Sequence, residues 1–131
     1  MKSLSNYTNA LQTKLFTATG AFFAFSSKQL NEKKKDGVVY VSMGSGMICP
    51  RTEAANLMSG LDGINKTGIA QDIEENGIKA IIHRELANYE SQITGDIGDT
   101  AAALTDYPIT KEQIRSEFGE YYQLCIENDW F

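Results

Sequence analysis

Hydrophobic residues along this chain change their spacing several times, and each change marks an element. Between Ile78 and Thr100 they recur at helical intervals. At about 100° per residue, Ile78, Ile82, Leu86, Tyr89 and Ile93 fall in one sector, with Ile81 at its edge. A sector that wide faces a core and predicts a helix over 78–93. Farther on, Ile114, Phe118, Tyr121, Tyr122 and Cys125 line one face of a helix over 111–127. Its start is the best-marked boundary in the chain. Thr110-Lys111-Glu112-Gln113 forms a capping box, Ile109 and Ile114 hold the staple positions around it, and Pro108 closes off what precedes. In the short tail beyond, Trp130 and Phe131 either dock on the core or make a contact surface.

The first half is less periodic. Residues 5–16 predict a short helix with Tyr7, Leu11 and Leu15 on one side, broken at Thr17–Gly20. The apolar run Ala21–Phe25 has strand length and predicts a buried strand. Ser26 and Gln29 are spaced as a capping box for a short helix to about Lys34, and Lys33–Gly37 is a solvated turn. Val38–Ser42 is β-branched and predicts a second, central strand, with the direction of pairing left open. Gly44-Ser45-Gly46 ends that strand, Pro50 suits a first helical turn, and Ala54, Leu57, Met58 and Leu61 form a helical stripe that Gly60 and Gly63 weaken and end. Ile69–Glu75 is again helical, but its isoleucines point away from the Ile78 stripe, so Asn76-Gly77 redirects the chain. A hairpin at Asn76-Gly77 would need alternating flanks, which are missing. The sum is a helix-rich α+β single domain over 1–131, with a small sheet from 21–25 and 38–42 covered by the 78–93 and 111–127 helices.

Charge changes the picture more than composition does. The 131 residues are 42% hydrophobic, enough for one core, and carry a net charge of −5. Residues 1–35 hold six lysines against one glutamate, whereas residues 71–131 hold four basic against thirteen acidic groups, a net of −9. Solvated outer helix faces account for much of this. The acidic C-terminal half nevertheless suits a basic protein partner and disfavours nucleic acid. Cys49 and Cys125 lie far apart without metal-ligand spacing and are expected as reduced thiols of a cytoplasmic protein, a disulfide between them staying open. Ala21–Phe25 is too short for the apolar region of a secretory leader, and nothing approaches a membrane span.

Candidate chemistry is sparse. Glu85 falls inside the apolar sector of the 78–93 helix, with Asn88 and Gln92 along its border, while Lys79, Arg84 and Ser91 fit a solvated face. A carboxylate entering a core needs a partner. Glu85 is therefore bonded to loop amides or an arginine, or it lines a cleft. Asp96 and Asp99 suit a helix N-cap before Thr100–Leu104. The competing idea, a hard cation shared by Glu85, Glu90, Asp96 and Asp99, matches no ion-binding loop. Gly44-Ser45-Gly46, between an expected strand and an expected helix, stands where phosphate cradles occur but lacks the further glycine and lysine of the known fingerprints. His83 is the only histidine and no cysteine stands beside it, so no metal centre and no cofactor are expected. No nucleophile elbow or Cys-His pairing is present. The lysine cluster lacks the interleaved aromatics of a single-strand binder.

Three segments together, Ala21–Gln29 (AFFAFSSKQ), Val41–Pro50 (VSMGSGMICP) and Glu85–Thr100 (ELANYESQITGDIGDT), resemble a group of small uncharacterised proteins encoded by bacteriophages and bacterial mobile elements. The resemblance spans about Phe22 to Tyr122. It implies a setting, a phage-type accessory protein inside a bacterial cell. Members commonly carry histidine where this chain has Tyr89, which argues against a catalytic histidine here. Two functions follow as expectations. One is a non-enzymatic protein that binds a host or phage macromolecule. The other is a small-ligand or nucleotide site, or an enzyme, built from Gln29, Gly44, Ser45, Gly46, Glu85, Asn88 and Asp96.

Overall fold

The computed structural model describes residues 1–131 and is a helix-rich α+β fold with one three-stranded antiparallel sheet. Its elements are α1 (Leu4–Thr19), β1 (Phe22–Phe23), α2 (Ser27–Lys33), β2 (Tyr40–Gly44), β3 (Met47–Pro50), a 3-10 turn (Arg51–Glu53), α3 (Ala54–Asn76), α4 (Ile78–Asn88), α5 (Ser91–Thr94), α6 (Gly98–Ala103) and α7 (Lys111–Asn128). Contacts gather into two compact units, Lys2–Gly68 and Ile69–Phe131 with Met1.

In the first unit the strand order is β1-β3-β2. The expected central strand, β2, lies at an edge, and the centre belongs to β3, a strand that the sequence pattern does not announce. Its cause is the turn. Ser45 and Gly46 both have positive φ (53° and 82°), which is the two-residue hairpin geometry whose twist matches paired strands. Gly44-Ser45-Gly46 therefore joins strand to strand. No helix N-terminus follows it, and the ground for a phosphate cradle is gone. Gly46 also makes room: a Cβ there would lie 2.3 Å from the Phe25 ring. Met43 is the extra residue of a bulge between Ser42 and Gly44.

β1 is shorter than expected and not buried, with Phe23 and Phe25 exposed. Rings add to the backbone pairing here: Phe23 meets Phe16 edge-on at 5.5 Å and stacks on Phe25 at 6.2 Å. Ser26 caps α2 by accepting from the Gln29 amide. The Gln29 side chain is occupied as well, its carbonyl accepting from the Phe25 N–H at 2.7 Å. Lys33, expected in a solvated turn, donates to the Phe23 carbonyl at 2.7 Å.

Neither Gly60 nor Gly63 ends the third helix, which runs 23 residues to Asn76. Each interior glycine costs about 1 kcal/mol. Packing offsets this at Gly60, where a Cβ would lie 2.7 Å from Leu15, and at Gly68, where it would lie 2.5 Å from the Thr8 methyl. The redirection at Asn76-Gly77 is as expected: Gly77 takes φ 81° and donates to the Ile73 carbonyl.

In the second unit, α4 and α7 pack on each other and on α5 and α6. The core holds Ile69, Ile81, Ile82, Leu86, Leu104, Tyr107, Ile114, Tyr121 and Cys125. The helices expected to cover the sheet thus pack against one another in a unit that does not contain it. The expected 78–93 helix stops at Asn88, because Glu90 adopts a left-handed conformation (φ 51°) before α5 begins. Tyr89 and Ile93 are consequently exposed rather than on the core face. At α7 the capping box is complete: Thr110 Oγ1 accepts from the Gln113 amide, and Gln113 Oε1 accepts from the Thr110 amide at 2.7 Å. Phe118 is half-buried and Tyr122 exposed, so the buried stripe is Ile114, Tyr121 and Cys125. Cys49 and Cys125 are buried free thiols. No helix is long and apolar enough to cross a membrane.

Candidate functional site

The polar centre of the second unit is Asp72, which is fully buried. Arg84 donates to both of its oxygens, at 2.9 and 3.0 Å, Tyr107 donates its hydroxyl proton to Oδ2, and Asn76 donates to Oδ1 at 2.8 Å. Burial pushes the Asp72 carboxyl up, but the bonds from Arg84, Tyr107 and Asn76 outweigh it and hold the group below the usual carboxylate range. Burial and the bond to Asp72 raise the Tyr107 phenol above its ordinary value. Arg84 Nε donates to Glu85 at 2.8 Å. Asp72 on α3 and Glu85 on α4 thereby hold one guanidinium between them.

This settles how Glu85 is accommodated. Its carboxylate, 14% exposed, rests on arginine, one of the two structural partners expected for it. Arg84 itself, expected on a solvated face, is 11% exposed, and Ser91, expected beside it, is fully buried. Asp72 gave a signal of the same kind as Glu85, being three residues after Ile69 on one helix face. The other predicted residues have local roles. Asn88 is the exposed last residue of α4. Neither aspartate takes the N-cap expected of it: Ile97 holds that position without a side-chain bond, Asp96 Oδ1 accepts from the Gly98 amide at 2.7 Å from one residue further out, and Asp99 lies within the first turn of α6. Gln29 bonds Phe25, and Gly44, Ser45 and Gly46 make the hairpin. Glu85, Glu90, Asp96 and Asp99 do not converge on a common ion position.

The C-terminal half instead presents an open concavity of about 580 Å³ bordered by α4, α7 and the tail. Met1, Ala80, Ala87, Tyr121, Leu124 and Trp130 line it, and His83 and Arg84 supply its polar edge. The tail is held in place at its rim: the Trp130 amide donates to the Cys125 carbonyl, Gln92 donates to the Trp130 carbonyl, and Phe131 packs edge-on against Tyr122 at 5.9 Å. Trp130 and Phe131 stay 51% and 59% exposed, which leaves apolar surface at the rim beyond what the fold uses. Burial and a hydrogen bond with Cys125 push the Tyr121 phenol up to about 12, so it stays neutral.

Beside this concavity α4 and α7 exchange two polar pairs. His83 Nε2 lies 2.8 Å from Glu117 Oε2, and Lys79 donates to Glu120. The pairing follows from helix periodicity: Lys79 and His83 are four apart on α4, and Glu117 and Glu120 three apart on α7, so each pair shares a face. His83 is turned by an edge contact with Tyr121 at 5.5 Å. No sequence motif joins these four residues, because only the packing of α4 on α7 brings them together.

The family of unknown function DUF7659 matches residues 4–123. No curated protein and no solved structure matches the chain.

Proposed function

The chain belongs to this family of unknown function, and from that premise we propose that it is a non-enzymatic binding protein, a phage-type accessory factor acting in a bacterial cell, that holds a macromolecular partner through Ile69–Phe131. The partner element is a basic amphipathic segment of a protein. The observation that carries this is the concavity lined by Ala80, Ala87, Tyr121, Leu124 and Trp130, set in a unit of net charge −9 over residues 69–131. An apolar side chain seated there gains about 1.5–3 kcal/mol from burial. Lysines or arginines flanking it are drawn by the net negative charge of the unit, which raises the association rate and selects against acidic segments.

Ala87 tests this, since it is exposed on α4 and lines the concavity without supporting the core. A leucine- and lysine-rich amphipathic helical peptide, titrated calorimetrically into the full chain, is expected to bind saturably and more weakly as salt rises. Ala87→Arg is expected to abolish binding with an unchanged melting midpoint. Equal binding by Ala87→Arg, or equal binding of a leucine- and glutamate-rich peptide with the same apolar face, overturns the proposal.

A further inference from the structure

We infer that His83, Glu117 and Glu120 form a binding site for one transition-metal dication of the zinc type on the seam between α4 and α7. One atom from each, an imidazole nitrogen and two carboxylate oxygens, lies within 4.8 Å of the others. A zinc-type ion bonds such donors at about 2.1 Å. Its ligand atoms then stand about 3.4 Å apart, a spacing reached here by small side-chain rotations. The donor set chooses the class of ion. Imidazole suits zinc, cobalt, nickel and copper, whereas calcium takes six or more oxygens and magnesium keeps most of its waters. Three protein ligands leave a fourth position for water or a group from a partner.

The surroundings fit this use. His83 and Glu117 side chains are 19% and 23% exposed, sheltered enough to strengthen attraction to a dication yet reachable from solvent. The Tyr121 ring fixes the plane of the imidazole. Both carboxylates stand on one face of a single α-helix, with the histidine on the helix packed against it. The Lys79 ammonium lies on Glu120, where it serves as a monovalent stand-in for the ion. Its side chain is 60% exposed on a flexible stem, so it swings into solvent at small cost when a dication arrives. The site does not depend on partner binding, although His83 also lines the concavity.

His83 is the only histidine, so its ring protons report on the site directly in the native sequence. The full chain, prepared without a histidine tag and freed of metal by chelator and dialysis, would be titrated with zinc and followed by proton NMR. A parallel cobalt(II) titration would be followed by visible absorption. One equivalent of zinc is expected to shift the His83 ring signals, and cobalt is expected to give d–d bands that zinc abolishes. His83→Asn and Glu117→Gln are each expected to weaken binding tenfold or more, whereas Glu112→Gln, in the first turn of α7, leaves it unchanged. Lys79→Met removes the competing ammonium and is expected to tighten binding. Zinc that leaves the His83 signals in place overturns the inference without recourse to a variant. So does binding that survives Glu117→Gln in a folded protein, or Lys79→Met that does not tighten it.

Discussion

The two compact units of this chain solve the same problem with different materials. In Lys2–Gly68 only Cys49 and Leu57 are fully buried apolar side chains, joined by Thr8 and Thr19. Ile69–Phe131 buries nine apolar side chains around Asp72, Ser91 and Thr100. The charges divide as well, with eight basic against four acidic groups in the first unit and four against thirteen in the second. A unit with little core depends on backbone devices, here a hairpin with three consecutive positive-φ residues, a bulge, and glycines that let helices approach. A unit with a full core can bury a carboxylate, provided every oxygen of it is bonded. Local geometry and burial are thus exchangeable means of holding a short chain together.

The largest effect should come from the buried pair. Asp72→Asn removes the charge that Arg84 faces and is expected to cost about 3–5 kcal/mol at neutral pH, measured by urea unfolding. Glu85→Gln, which leaves Arg84 its bonds to Asp72, should cost about 1 kcal/mol. Near-equal losses for the two would mean that the guanidinium is held by Glu85 as much as by Asp72. Because the folded Asp72 carboxyl lies below its ordinary value, its contribution is complete above the unfolded value of about 3.9. It is lost as pH falls through the depressed folded value. The gap between native protein and Asp72→Asn should therefore narrow in acid, and a gap that widens there would contradict the ion pair.

Gly68 probes the other unit. Gly68→Ala drives a methyl into the stiff Thr8 side chain and is expected to cost about 1–3 kcal/mol. Thr8→Ser removes the opposing methyl and should restore most of the loss, because alanine favours the helix by about 1 kcal/mol. If the double variant is no better than Gly68→Ala alone, the close approach at this glycine is not what limits the unit.

The smallest effect belongs to the α7 cap. Thr110→Ala should lose about 1 kcal/mol and Thr110→Ser very little, and equal losses would assign the effect to the threonine methyl instead of its oxygen.

Legibility followed the range of the interaction. The α7 cap, the Ser26 cap and the break at Asn76-Gly77 all rest on groups within four residues of each other, and all were readable. The end of the 78–93 helix was not, because its apolar spacing continues through Tyr89 and Ile93 while the backbone turns at Glu90. The third strand was hidden by a turn whose first central residue is serine, which seldom takes positive φ.

The helix-rich α+β class, the Ser26 and Thr110 caps and the acidity of the C-terminal half are legible in the residues alone. These depend on composition and on short-range periodicity. That Arg84 turns inward to Asp72, that β3 takes the centre of the sheet, and that His83 meets Glu117 beside Lys79 and Glu120 emerges only once the chain is packed. Each of these joins separate elements. A residue's spacing shows which face it shares with its neighbours, whereas its partner on another element is chosen by packing, which no local pattern encodes.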